Sequence, residues 1–404
     1  MQKIICICSV LFLGACASTM QSHLDSVQNN FANANFETES KNVADQNNLE
    51  LLINGMALFH DNKFEQSDKE FEEFNKRGLH ETSTNISREA ATLLLGGGVN
   101  SYKPYMMDSL FVSYYQIWDL LALHDWSNAR VVINQSYNRQ QKMSREYEKL
   151  IAENKTKIAE QAEYKQVLDK NATDWAAFSD IMNPALMYLS GIYFLNDGDF
   201  DNAITYLKRA NGMMPQNTFI KQDLELANKR TKPSHTTWQF IETGFAPRLR
   251  EKDAGIFLPR IGMVYFAFSE PYQPSSFTHP KNSQLLADVD AMFMTEYREY
   301  QTNEILRSFA SAAAKTTLQA TMYNSKSDSA TLLGILSSVY TVASSNADVR
   351  TWATLPRYIY VSRKTNSKDT KNNLIYTRII NDKITDEKKI ELILPPVGEG
   401  TTEW

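Results

Sequence analysis

Cysteine is nearly missing from this chain. Cys6, Cys8 and Cys16 are the only three in 404 residues. Beyond residue 16, therefore, no disulfide and no Cys-ligated metal site can form. Such a body can fold in an oxidising compartment without thiol chemistry. Positive charge is not in excess either. The formal net charge is −5 and no polybasic block occurs, which argues against nucleic acid as a partner and against electrostatic binding to an acidic membrane. No His-Glu-x-x-His is present, which removes a zincin site. No Gly-x-Ser-x-Gly and no Ser-x-x-Lys occur, which removes a nucleophile elbow and a penicillin-binding type of serine site. Gly96-Gly97-Gly98 lacks the Gly-Lys-Ser/Thr of a phosphate loop, so it reads as a helix end and turn. The six histidines are scattered, with His60 and His80 the closest pair in sequence. These absences point away from an enzyme and imply no cofactor and no metal.

What is present is a globular composition, 43% hydrophobic and 22% charged, enough for two domains or three. The first residues read as a processing segment. Lys3 gives a short positive region, and residues 4–13 are an apolar run broken only by Ser9. That run is too short to span a ~30 Å bilayer core as a helix and has the size of a signal-peptide core. It ends at Leu13-Gly14-Ala15-Cys16, which resembles the lipobox of bacterial lipoproteins. The resemblance implies cleavage before Cys16 and acylation of its thiol. It implies a partner in the lipid membrane, and Ala17 in the next position implies the outer one. Two or more acyl chains hold a protein firmly, at about 0.8 kcal/mol per buried CH₂. Residues 16–45, rich in Ser, Asn, Gln and Thr, read as a flexible tether after a 1–15 signal peptide.

Residues 46–235 read as helical repeats. Gly191, Phe194, Gly198, Ala203, Leu207, Ala210 and Pro215 resemble the small, aromatic, bulky and Pro positions of a 34-residue tetratricopeptide repeat. Gly191 and Ala203 sit where two antiparallel helices would touch, Asp197-Gly198-Asp199 would turn, and Pro215 would end the second helix. Gly55, Leu58, Ser67, Phe71 and Leu79 repeat the spacing around Asp61-Asn62-Lys63. Leu120, Ala129 and Ile133 do so around His124-Asp125-Trp126. Residues 139–170 add a charged helix whose stripe of Tyr147, Ile151, Asn154 and Ile158 predicts one buried face, packed on the repeats. Stacked repeats predict an open concave surface for a peptide or protein. Tyr114, Tyr115, Trp118 and Trp126, at helical spacing, read as core.

Residues 236–395 read as a smaller α+β domain, followed by a loose tail at 396–404. Strands are predicted at 236–242, 262–268, 357–363, 373–380 and 389–394, with helices at 283–324 and 330–345. Asp348, Arg350 and Trp352 admit two readings. They could bind a ligand, or Asp348 could cap or pair with Arg350 while Trp352 fills the join between helices and sheet. The second is favoured, because charged pairs beside such a Trp are commonly structural. Glu242 and Arg248 are read in the same way.

Several segments together resemble a family of bacterial tetratricopeptide-containing lipoproteins of unassigned function. They are Glu242-Thr243-Gly244-Phe245-Ala246-Pro247 with Leu258-Pro259, Phe266-Ala267-Phe268 with Pro271-Tyr272, and Ala347-Asp348-Val349-Arg350-Thr351-Trp352-Ala353-Thr354-Leu355-Pro356. Tyr102, Tyr105, Asp125-Trp126 and Ala129-Arg130-Val131 resemble the family's helical half. Phe268-Ser269-Glu270-Pro271 departs from the family's tighter pattern. Members are thought to sit near genes for other envelope lipoproteins, some similar to activators of penicillin-binding proteins. The resemblance implies a protein-interaction scaffold at the outer membrane, its body facing the periplasm and its partner an envelope protein. The alternative is a regulator of, or an enzyme in, peptidoglycan synthesis or remodelling.

Overall fold

The computed structural model describes residues 15–36, 43–78, 102–160, 165, 167–169, 182–258, 262–274, 278–323, 347–366 and 371–393. The expectations for Leu13, Gly14, Leu79, Gly96-Gly97-Gly98, the 330–345 helix and the 396–404 tail lie outside them. Cys16 and Ala15 fall in the first turn of α1 (Ala15–Ala32). The 16–45 tether is thereby corrected over its first half. Met20, Leu24, Val27 and Phe31 recur every three or four residues, and this stripe joins the main core. Leu24 and Phe31 are buried.

Three helical hairpins follow, α2/α3 (Asn48–His60, Phe64–Gly78), α4/α5 (Met106–Ala122, Trp126–Glu160) and α6/α7 (Pro184–Asp197, Phe200–Met213). Each turn places one residue in the left-handed region: Asn62, His124 and Gly198. Helix starts are capped as their sequences dictate. Asn47 and Glu50 form a reciprocal capping box on α2, and Asn183 caps α6 just before Pro184. The small residues sit at the helix contacts. A Cβ on Gly55 would lie 2.6 Å from the Phe71 ring, and one on Gly191 would lie 2.7 Å from Leu207. Ser67, Ala129, Ala203 and Ala210 are buried. Pro215 follows the end of α7 at Met213. Helix α8 (Thr218–Asn228) then leads to the sheet.

The sheet holds β1 (Thr236–Thr243), β4 (Gln284–Asp288), β5 (Tyr358–Thr365), β6 (Asn373–Ile380) and β7 (Lys383–Glu391) in the order β4-β5-β1-β6-β7. β1 and β6 are parallel and the other pairs antiparallel. Asn381 and Asp382, both at positive φ, make the tight turn between β6 and β7. A separate ribbon pairs β2 (Arg248–Leu258) with β3 (Gly262–Tyr272). Helix α9 (Val289–Tyr323) lies along it.

Three expectations are corrected here. Residues 284–288, read as the start of a helix, form β4; Asp288 then caps α9 through the Ala291 N–H. The 139–170 helix is continuous with Trp126 and runs unbroken to Glu160, and residues 165 and 167–169 are helical as well. Its stripe packs on α9 and not on the repeats alone: Tyr147 donates to the Thr295 carbonyl at 2.6 Å and Asn154 to that of Glu299 at 3.0 Å. The concave surface is not open. Trp118 of α4 and Tyr188 of α6 pack on Phe240 of β1, and Phe59 of α2 packs on Tyr376 of β6. The inner helices are therefore buried almost throughout, in a layer between outer helices and sheet. One core runs through both halves, so the change from helix to strand at 235/236 does not divide it. Among the described residues no helix is long and apolar enough to cross a membrane.

Candidate functional site

The inner face of the sheet carries a row of charge. Register places Glu242, Arg378 and Asp386 side by side on β1, β6 and β7. A lone charge within an apolar strand, as in Asn373-Leu374-Ile375-Tyr376-Thr377-Arg378, is the one sequence signal that could have pointed here. Arg378 donates to Glu242 at 2.9 Å and to the carbonyls of Gly244 and Thr354 at 2.8 and 3.1 Å. Tyr376 and Tyr115 donate to the same carboxylate. Arg378 thus clamps the Glu242–Pro247 segment to the Ala347–Pro356 segment. The Ala246 N–H donates to Leu355 O, and the Arg357 N–H to Thr243 O. Both charges are fully buried. Such a pair is stable only because its hydrogen bonds are satisfied on several sides.

Next in the row, Asp386 accepts from His60 Nδ1 at 2.8 Å and from Lys388 at 2.5 Å, while Lys388 also reaches Asn62. This network fastens β7 to the turn of the first helical hairpin. Burial pushes His60 down to about 4, against the pull of Asp386. Phe36 stacks on its ring and Phe31 meets it edge-on. An Asp-His pair suggests general-base chemistry, but among the described residues no serine or cysteine hydroxyl or thiol bonds to His60.

Polar bolts also join the hairpins to each other. Ser67 Oγ lies 2.9 Å from Gly55 O and 2.7 Å from Asp119 Oδ2. One hydroxyl proton serves only one of these. Burial pushes the Asp119 carboxyl well above the usual carboxylate range, which favours a proton on it at this contact. Arg130 of the second hairpin pairs with Asp197, at 2.8 Å, and with Asp199, both at the turn of the third.

A third network holds α9. Glu296 accepts from the Met106 and Met107 N–H groups (2.9 Å for the latter) at the start of α4, where the helix dipole favours an anion. Asp108 accepts from Tyr102 and from the Tyr105 N–H. Glu304 accepts from Ser269, and from the Asp348 N–H at 3.3 Å. Burial pushes Glu296 up to about 8, and Asp108 and Glu304 to about 7.

The sequence-predicted Asp348/Arg350/Trp352 set is not brought together as a ligand site. Arg350 is bidentate on Asp348, at 2.7 and 2.6 Å. Trp352 is buried between Phe71 and Tyr115, filling the join between helices and sheet. Glu242 and Arg248 do not pair with each other. Arg248 instead binds Asp25 and the Gln21 carbonyl of α1, with Gln21 donating to Tyr272 at 2.7 Å. Tyr114, Tyr115 and Trp118 are fully buried in the core.

No family model, no curated protein and no solved structure matches the chain.

Sequence reasoning missed Arg378, the His60/Asp386/Lys388 set and the Asp108/Glu296/Glu304 set. Their pairing depends on register and on helix docking, which no local pattern encodes. Among the described residues no group of three His, Asp or Glu side chains is placed to hold a metal ion.

What remains on the outside is an apolar surface. Phe257, Met263 and Tyr265 are 66%, 48% and 57% exposed, on the face of the ribbon opposite Ile256, Val264 and Phe266.

Proposed function

We propose that the protein is a lipid-anchored scaffold of the bacterial outer membrane. Acylated Cys16 holds it there, and its body, facing the periplasm, docks an envelope protein without catalysis. One observation carries this reading. The charged and aromatic residues that invite chemistry are engaged within the fold: Glu242 with Arg378, Asp348 with Arg350, and Trp352 with Phe71 and Tyr115. The lipobox-like Leu13-Gly14-Ala15-Cys16, the repeat-like contacts Gly55–Phe71 and Gly191–Leu207 and the resemblance to tetratricopeptide-containing lipoproteins support it. The partner meets an outer surface, because the concave face of the helical stack is filled by the chain's own sheet.

The test is photo-crosslinking in cells from two exposed positions on different elements, Val131 on α5 and Ile384 on β7, with Cys16→Ser as the anchoring control. The expected result is one envelope protein crosslinked from one of the two positions only, and the loss of membrane attachment in the control. Crosslinks to no protein, together with a body that cleaves peptidoglycan fragments, would replace the scaffold with an enzyme.

A further inference from the structure

We propose that Arg139, at the seam between the first two hairpins, is a docking point for an acidic side chain of the partner protein. The proposal rests on the scaffold reading and gives the partner's contact a chemistry. Arg139 stands on α5, partly buried, and bonds to both α3 and α4. A guanidinium carries five N–H donors. Nη1 donates to Asn75 Oδ1 at 2.7 Å and to Ser113 Oγ at 3.1 Å, and Nη2 to Gln135 Oε1 at 3.0 Å. All these acceptors are neutral. Nε–H and the second Nη2 hydrogen meet no acceptor among the described residues. Arg130, Arg248, Arg350, Arg363 and Arg378, also partly or fully buried, each pair with a carboxylate. Arg209 has none, but it lies on the Tyr137 ring at 4.1 Å. Acids raise Arg130 and Arg350 above their ordinary values, whereas burial lowers Arg139 and no acid opposes it. A cation drawn out of water without a counter-ion is costly, and an anion from outside relieves that cost.

The neighbours keep the site from satisfying itself. Asn75 Nδ2 donates to Gln116 Oε1 at 2.8 Å, and Gln116 Nε2 donates to Asp68 Oδ1 at 2.8 Å. The Ser113 hydroxyl donates to Ser109 O at 2.9 Å, so its oxygen is left to accept. Each amide thus turns its oxygen toward the Arg139 end and its nitrogen toward Asp68. Asp68, the carboxylate at the far end, is held two amides away. Glu72 and Glu73 of α3 are engaged on their own helix, with Lys76 and Arg77. Lys142, exposed and three residues further along α5, has no hydrogen bond or ion pair among the described residues. Residues three apart are neighbours on a helix surface, so two cations without an anion share this face. That charge selects the occupant. The remaining Arg139 donors sit on two nitrogens of one planar fork, which matches the two oxygens of a carboxylate. Asp or Glu on a docked protein supplies that group.

The experiment uses the full chain in detergent, isotope-labelled at the arginine nitrogens so that each Nε–H gives an NMR signal. Arg139→Lys identifies the signal of Arg139. The probe is a blocked tetraglutamate peptide, with tetraglutamine and inorganic phosphate as comparisons. The expected result is a saturable shift of the Arg139 signal with tetraglutamate, no shift with tetraglutamine, and binding weaker by about tenfold with phosphate. Lys142→Glu, an exposed change whose folding is checked by thermal melting, should weaken the tetraglutamate by about tenfold. An Arg139 signal that does not move with tetraglutamate overturns the site. A signal that moves equally with phosphate overturns the carboxylate, and an unchanged affinity in Lys142→Glu overturns the pairing of the two cations. The scaffold reading fails separately, if crosslinking in cells finds no envelope protein; the peptide result does not depend on it.

Discussion

The sheet's inner face and the β2–β3 ribbon use the same kind of sequence, short strands mixing aromatic and charged residues, to opposite ends. On the inner face every charge faces the protein and finds a partner there: Glu242 with Arg378, and Asp386 with His60 and Lys388. On the ribbon the charges lie at the rim, as in Arg250 and Lys252 on Glu270, and the apolar side chains Phe257, Met263 and Tyr265 face out. Composition alone does not separate an interior from a contact surface. The number of layers laid over each strand does. Among the described residues the sheet is covered by three helical hairpins, the ribbon on one face chiefly by α9.

The largest effect expected from breaking this contrast is at Arg378. Arg378→Met leaves Glu242 buried and unpaired and frees two carbonyls, and should cost about 3–5 kcal/mol in denaturant unfolding. Glu242→Gln in the same chain should return part of it. If the double variant is as unstable as the single one, the charge row is not what joins the halves.

The pH profile comes next. Glu296, Asp108 and Glu304 are raised to about 8, 7 and 7, from unfolded values near 4. The folded state therefore binds protons more tightly. Their contribution is fully present below about pH 4 and is lost as pH rises through 7 to 8. His60 works the other way. Lowered to about 4, it favours the folded state above its unfolded value near 6.5, and that contribution is lost as pH falls toward 4. Three acids outweigh one histidine. The urea midpoint should fall between pH 5 and 8 by an amount worth a few kcal/mol, and Glu296→Gln should flatten the fall. A midpoint that rises over that range would contradict the assignment.

Smaller again is Gly55→Ala, whose Cβ would press on the Phe71 ring at about 1–3 kcal/mol; Phe71→Leu should relieve it. The smallest effect belongs to the ribbon. Phe257→Ser should change stability by no more than about 0.5 kcal/mol, measured by thermal melting, since that side chain is 66% exposed. A loss of several kcal/mol would mean that the patch belongs to a core.

Much of this architecture was legible in the sequence where the signal is local. The turn residues, the small residues Gly55, Gly191 and Ala203, and strands β1 and β6 follow from steric need and from β-branched or aromatic runs. The Asp348–Arg350 pair and the place of Trp352 followed as well. Strand β2 did not, because a ribbon exposed on one face tolerates Arg250, Glu251, Lys252 and Asp253 in succession. The α1 stripe Met20, Leu24, Val27, Phe31 was hidden among polar residues that read as a linker. The filling of the concave face was not legible at all. It depends on the sheet returning over helices read as one side of an open stack.

That return has a consequence for how the chain can change. An open stack of repeats grows or shrinks by whole units, because each touches only its neighbours. Here one sheet meets all three hairpins, through Tyr376 on Phe59, Phe240 on Trp118 and Phe240 on Tyr188. A fourth hairpin inserted between them would find no strand to lie against, and a deleted one would leave strands facing water. A change in the number of hairpins would therefore have to change the sheet with it.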